Sequence, residues 1–179
     1  MIKVEPAPGG DAARGLPMVI DGYSSYFVQQ NRGKRSIAVD LSTGAGCELV
    51  AELAGACDVL VENFGHGVLE RRGLGPEQLR AANPALVYAS ISTFGRTGSK
   101  AELPGFDLIA QSYAGVSAIT GEADGAPLGA SLPIGDVGSG IMAFGAISAA
   151  LYGRSVTGEG QDRKSTRLNS SHSSVSRMP

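Results

Sequence analysis

Cysteine and histidine are scarce in this chain, at two residues each in 179. Cys47 and Cys57 follow no metal-ligand or redox spacing and fall in or beside an apolar helical stretch. They read as buried, reduced thiols of a cytoplasmic protein, not as a disulfide or zinc framework. His66 has no acid or nucleophile at a telling spacing, and His172 lies in an atypical C-terminal stretch, so a Ser-His-Asp triad and a histidine-based metal site are both set aside. A secretory pattern is lacking: Met1 leads directly into the strand-like IKVE, and the expected location is the cytoplasm. The longest apolar run, residues 137–152, is short for a membrane span and rich in glycine, alanine and serine. It reads as a buried helix, with no membrane partner. Basic charge is short as well. Lysine and arginine total 15 against 17 acids, and four of the basic residues (Arg163, Lys164, Arg167, Arg177) come after residue 161 with one acid, Asp162. The body is therefore acidic, which excludes a nucleic-acid partner.

What is present is an alternation of apolar runs with helical patterns, in a length suited to one domain. Residues 2–5 (IKVE) predict a strand, followed by a glycine- and proline-rich loop to about residue 22. Residues 36–41 (SIAVDL) predict a second strand. Ser42 or Thr43 can cap a helix over residues 44–55, with Leu49, Val50 and Leu53 on one face. DVLVE (58–62) predicts a parallel strand covered on both sides. Short helices are expected near residues 67–72 and 76–82, the latter with Pro76 in its first turn. LVYASIS (86–92) predicts a further strand and residues 105–119 a helix, with Phe106, Ile109, Ala110 and Tyr113 on one stripe. A turn-rich loop, 121–135, leads into the last helix. This order predicts an α/β fold: an open parallel sheet with flanking helices. Residues 162–179, with six serines and no apolar periodicity, predict a disordered and foreign tail, so the folded body is expected to span residues 1–161.

In an open parallel sheet, ligands collect beyond the carboxyl ends of strands. Two loops leave such ends: residues 63–67 (NFGHG), followed by Arg71, and residues 93–98 (TFGRTG). Glycines and hydrogen-bonding groups there suit a phosphate-bearing ligand, and equally suit ordinary turn chemistry. GRTGSK (95–100) is not a phosphate loop, because its glycine spacing is short and Ala101 follows Lys100; no dinucleotide fingerprint follows a strand. Asp136, among Gly135, Gly138 and Gly140 at the entry of the last helix, is the most informative residue. One reading makes it a helix N-cap bonded to the N–H of Ser139 and its neighbour. The other makes it a nucleophile, its anion favoured by the helix N-terminus and its approach cleared by glycines.

The stretches IKVEPAPGGDAARG, NRGKRSIAVDL, DVLVENFGHGVLERRGLG, NPALVYASISTFGRTG, GFDLIAQSYAGVSAITGE and GDVGSGIMAFGAISAALYGRSVTGEGQ, in this order and spacing, resemble the class III CoA-transferases, the CaiB/BaiF family, of which formyl-CoA:oxalate CoA-transferase is the best-known type. The resemblance implies a Rossmann-like, here incomplete, large domain. It also implies CoA exchange between an acyl-CoA donor and a small carboxylic acid through enzyme-bound anhydride and thioester intermediates. CoA then enters as a substrate, with no tightly bound cofactor and no metal. It places the nucleophile on Asp136 and CoA contacts on Asn63, Phe64, Gly65 and Arg71, on Gly105 and Phe106, and on Val39, Asp40, Leu41 and Ser42. Ser42 stands where the family often has lysine, so contacts there are expected through the backbone. The family's interlocked homodimer is implied for the parent.

The resemblance also implies a first strand before Met1 and a second half after Gln161, so this chain reads as an internal fragment, inactive alone. Two alternatives remain. An α-methylacyl-CoA racemase of the same family needs an acid/base pair, and has histidine where this chain has Phe106. A non-catalytic CoA-binding fragment would use Asp136 for stability only.

Overall fold

The computed structural model describes residues 1–16 and 18–166, the last two through their backbone only. The chain divides into two compact units, Met1–Ala51 and Glu52 onward.

In the first unit, β1 (Ile2–Pro6) is followed by the two-residue strands β2 (Val19–Ile20) and β3 (Tyr23–Ser24), helix α1 (Ser25–Asn31), strand β4 (Arg35–Val39) and the start of helix α2 (Gly44–Gly55), whose last turn, from Glu52, belongs to the second unit. β1 and β4 pair in parallel, from Ile2 opposite Arg35 to Pro6 opposite Val39, and β2 and β3 pair antiparallel. Much of the expected loop to residue 22 is thus structured. Asp11 Oδ1 accepts the Ala13 N–H at 2.8 Å and starts a 3-10 turn over Ala12–Gly15. The polar anchor of this unit is Glu5, only 2% exposed. Its carboxylate accepts both Arg14 Nε and Nη2 (2.8 and 2.9 Å), the Asp11 N–H (2.9 Å) and the Ser36 hydroxyl (2.6 Å). The Arg14 hydrogen bond is the main reason its pKa falls to about 2. Helix α1 begins where the Ser24 hydroxyl accepts the Phe27 N–H at 3.2 Å. Of the two candidate caps for α2, Thr43 serves: its hydroxyl accepts the Gly46 N–H at 3.1 Å.

In the second unit, strand β5 (Val59–Glu62) leads to a 3-10 turn at Glu70–Arg72, helix α3 (Pro76–Ala82) and strand β6 (Val87–Ser92). Helix α4 (Asp107–Tyr113), a 3-10 turn at Val116–Ala118, helix α5 (Ile134–Thr157) and strand β7 (Asp162–Thr166) follow. The sheet order is β5-β6-β7, all parallel. The α/β class with parallel strands and flanking helices is as expected, with the parallel strands in two separate sheets, β1-β4 and β5-β6-β7. The core lies on β6 and the residue before it, where Leu86, Val87, Tyr88 and Ala89 are 0–3% exposed, joined by Leu74 and Leu79. Burial of each of Leu74, Leu79, Leu86 and Val87 contributes about 1.5–3 kcal/mol. The Tyr88 hydroxyl donates to the Leu74 carbonyl at 3.2 Å, and burial pushes its phenol pKa well up. Asn83 Nδ2 reaches the carbonyls of Ala54, Gly55 and Cys57, satisfying the end of α2.

Several expectations change. Residues 162–166 form β7 beside β6, from Tyr88 opposite Asp162 to Ser92 opposite Thr166, because the strand edge offers a full ladder to backbone groups whatever the side chains. The rest of the expected tail lies outside the described residues. β5 is not covered on both sides: Val61 is 55% exposed, while Glu62 is the residue turned inward. Gly115, at φ +80°, breaks the helix expected over 105–119. On its stripe only Ala110 is buried; Phe106, Ile109 and Tyr113 are exposed. Both cysteines are free and half-buried, where burial was expected. Helix α5 is not a buried helix either. By length and composition it could cross a membrane, and only 17% of its apolar window is buried within the chain.

Candidate active site

The second unit carries most of the candidate residues, and contacts link their loops one to the next. The loop after β5 starts from Glu62, 6% exposed, whose Oε2 accepts the Phe64 N–H at 2.7 Å. Glu62 Oε1 accepts both the Ser90 hydroxyl and Arg96 Nη2, and Arg96 Nε donates to Ser90 Oγ at 2.7 Å. A buried ion pair thus ties the loop over residues 63–67 to the loop over 93–98. Arg96 Nη1, without a hydrogen bond of its own, stands 3.8 Å from Glu70 Oε1. The Arg71 N–H donates to the Gly67 carbonyl at 3.1 Å, and its guanidinium lies over that glycine, where a β-carbon would come within 2.6 Å of Nη1. Arg71 is therefore drawn back onto the loop that holds Asn63, Phe64 and Gly65. Phe64 is 45% exposed, a ring open to a ligand.

From the 93–98 loop the chain of contacts continues to α4. Gly105 packs so closely on Thr93 that a β-carbon would lie 2.5 Å from its methyl group. The Phe94 and Tyr113 rings meet edge to face at 5.4 Å. Phe106, 74% exposed, stands at the N-cap of α4, and Asp107 begins the helix. Asp107 Oδ1 in turn accepts the backbone N–H of Asp136 at 3.1 Å.

Asp136 is exposed in the first turn of α5. It is not the N-cap: that position is Pro133, with no side-chain cap bond, and Asp136 is the third residue of the helix. The Ser139 hydroxyl, 5% exposed, donates to the Gly135 carbonyl at 2.6 Å. A carboxylate in this first turn lies in the positive end of the helix dipole, which favours its anion. Asp107 and Gln111 were missed as residues of this region. The signal was an acid and an amide four positions apart in GFDLIAQ, on one side of a helix.

Val39, Asp40, Leu41 and Ser42 belong to the first unit. Val39 ends β4 and is 5% exposed; its carbonyl accepts the Ala7 N–H at 3.2 Å. Asp40 Oδ1 accepts the Ser42 N–H at 2.8 Å, and hydrogen bonds from Ser42 hold its carboxyl below the usual range. The Asp40 carbonyl takes the Thr43 N–H and hydroxyl (3.2 and 2.8 Å), and the Cys47 thiol donates to the Leu41 carbonyl at 3.3 Å. The Asp40 carboxylate and the carbonyls of Val39, Asp40 and Leu41 are thus engaged locally. Among the described residues no group of His, Cys, Asp and Glu could hold a metal ion.

The family model for CoA-transferase family III matches residues 1–177, and the chain belongs to that family. It is similar to the succinate–glutarate CoA-transferase of Agrobacterium fabrum, 45% identical over 168 residues that cover 90% of this chain and 42% of the relative. It is also similar to the formyl-CoA:oxalate CoA-transferase of Streptomyces avermitilis, 43% identical over 162 residues, covering 90% and 39%. Among solved structures, a CaiB/BaiF family protein from Brucella suis matches with a TM-score of 0.88 at 40% identity, over 94% of this chain and 46% of that one. Rv3272 from Mycobacterium tuberculosis matches with a TM-score of 0.86 at 36% identity, over 94% and 47%. The chain spans about two fifths of the length of the curated relatives it matches.

Proposed function

We propose that the protein to which this chain belongs transfers coenzyme A from an acyl-CoA donor to a small carboxylic acid, with Asp136 as the covalent nucleophile. The observation that carries this reading is an exposed carboxylate in the first turn of α5 whose backbone N–H is held by a second acid. An Asp136 oxygen attacks the thioester carbonyl, the C–S bond breaks, and CoA thiolate leaves a mixed anhydride. The thiolate then attacks the Asp136 carbonyl, releasing the donor as its carboxylate and leaving an aspartyl-CoA thioester. The acceptor carboxylate attacks the carbonyl of that thioester, the C–S bond breaks, CoA thiolate leaves again, and a new anhydride forms. The returning thiolate takes the acyl group and restores the aspartate. Each step exchanges one acyl bond for another, so no oxidant or metal is needed.

CoA is held in this reading by the loop of Asn63, Phe64 and Gly65, by Arg71 as the phosphate partner, and by Gly105 and Phe106. Val39, Asp40, Leu41 and Ser42 contribute backbone groups, since an anionic Asp40 side chain would repel a phosphate. The relatives named as succinate–glutarate and formyl-CoA:oxalate CoA-transferases support acyl-CoA and dicarboxylate substrates. Phe106 cannot move a proton, which separates this reading from a racemase. The working protein in this reading is an interlocked homodimer in the cytoplasm, and the segment alone is inactive.

The test is kinetic. In the full-length enzyme, Asp136→Ala lowers turnover about a thousandfold or more, with CoA binding by calorimetry kept within a few-fold. Unchanged turnover with altered stability alone contradicts the proposal and supports the non-catalytic role.

A further inference from the structure

We propose that Asp107 and Gln111 are the positioning residues of the reaction, a frame on α4 that fixes the backbone of Asp136. The inference rests on the assignment of Asp136 as nucleophile.

A helix start leaves its first N–H groups without partners. At α5 the N-cap is Pro133, which supplies no side-chain acceptor. Asp107 fills that role from a different helix, its Oδ1 3.1 Å from the Asp136 nitrogen. The approach is close: a β-carbon on Gly135 would lie 3.0 Å from the same oxygen and 3.4 Å from the Ala110 β-carbon. Gly135 thus admits the acid to the helix end.

Asp107 is itself held. Its Oδ2 accepts Gln111 Nε2 at 2.5 Å, one helical turn along α4. Gln111 is 3% exposed and uses both ends of its amide. Nε2 also reaches the Leu132 carbonyl at 3.3 Å, and Oε1 accepts the Ala130 N–H at 2.7 Å. One buried amide therefore pins the approach to α5 at residues 130 and 132, while the acid it orients pins residue 136. The segment between, with Leu132 73% exposed, has little packing of its own to fix it.

A nucleophile attacking a carbonyl must be placed to within a fraction of an ångström, and a displacement of about 1 Å can cost about a hundredfold in rate. The frame supplies that placement through the backbone of Asp136.

The experiment uses the full-length enzyme with an acyl-CoA donor, following aspartyl adduct formation in a single turnover and amide hydrogen exchange across residues 134–140. Asp107→Ala is expected to slow adduct formation about 10- to 100-fold, to leave the KM for acyl-CoA within about twofold, and to speed exchange of the Asp136 amide. The double variant Asp107→Asn with Gln111→Glu exchanges donor and acceptor between the two residues, keeps acceptors for the Asp136 and Ala130 N–H groups, gives up only the bond to the Leu132 carbonyl, and is expected to recover adduct formation to within a few-fold. Wild-type adduct kinetics and exchange in folded Asp107→Ala overturn the proposal. Should that variant not fold, the exchanged pair decides: adduct formation near the wild-type rate supports the frame, and a loss as complete as in Asp136→Ala overturns it. If the wild-type enzyme forms no adduct at Asp136, the nucleophile assignment fails; faster Asp136 amide exchange in Asp107→Ala then still supports the frame, and unchanged exchange overturns it.

Discussion

Strand β6 and helix α5 are both apolar in sequence, yet they meet opposite fates. At the start of β6 the large side chains go inside: Leu86, just before the strand, and Val87 and Tyr88 on it are at most 1% exposed. On α5 the small ones do. Ser139, Ala143 and Ala150 face inward at 0–5% exposure, while Val137, Ile141, Met142, Phe144, Tyr152 and Val156 are 54–75% exposed. Small residues let the helix backbone approach the rest of the unit, but their burial removes little area from water. An apolar run therefore says that a segment wants cover, not where the cover comes from. Within this chain the large apolar side chains of α5 therefore stay without cover.

The contrast can be broken by substitution. The largest loss is expected from Arg96→Ala, which leaves the Glu62 carboxylate buried without its cation and costs about 3–5 kcal/mol. Chemical denaturation reads it directly, and a loss under about 1 kcal/mol would mean that Glu62 is not sealed in. Leu86→Ala follows, at about 2–5 kcal/mol from a cavity in the packed strand.

In the first unit the same contrast takes a pH-dependent form. Glu5 has a folded pKa of about 2 against an ordinary 4.5, so its ionised form is favoured by folding. Its contribution is fully present above about pH 4.5 and is lost as pH falls toward 2. Acid titration of stability should therefore flatten over that window in Glu5→Gln; an unaltered slope would remove Glu5 from the account. The smallest effect belongs to Phe144→Ser on the open face of α5, expected within about 0.5 kcal/mol of the unsubstituted chain. If it unfolds this chain as Leu86→Ala does, the distinction between the two regions collapses.

What could be read in advance follows the same physical line. Helix α3 was legible because Pro76 sets its first turn, and β5 and β6 because short apolar runs sit between turn residues. Helix α1 was not: seven residues with one cap, Ser24, give too little periodicity. The burial of Glu5 and Glu62 was hidden because each depends on an arginine 9 or 34 residues away. Asp136 stood out by its glycines, whereas the acid that holds it, 29 residues earlier, is visible only once α4 and α5 meet. Strand β7 escaped notice because its side chains carry no strand pattern; its backbone ladder to β6 alone defines it.

The central claim is covalent, and mass spectrometry reaches it most directly. The full-length enzyme would be given an acyl-CoA donor with no acceptor acid, quenched with hydroxylamine and digested. The account predicts a hydroxamate on Asp136 and on no other carboxylate; continued CoA exchange with that side chain unmodified would contradict it.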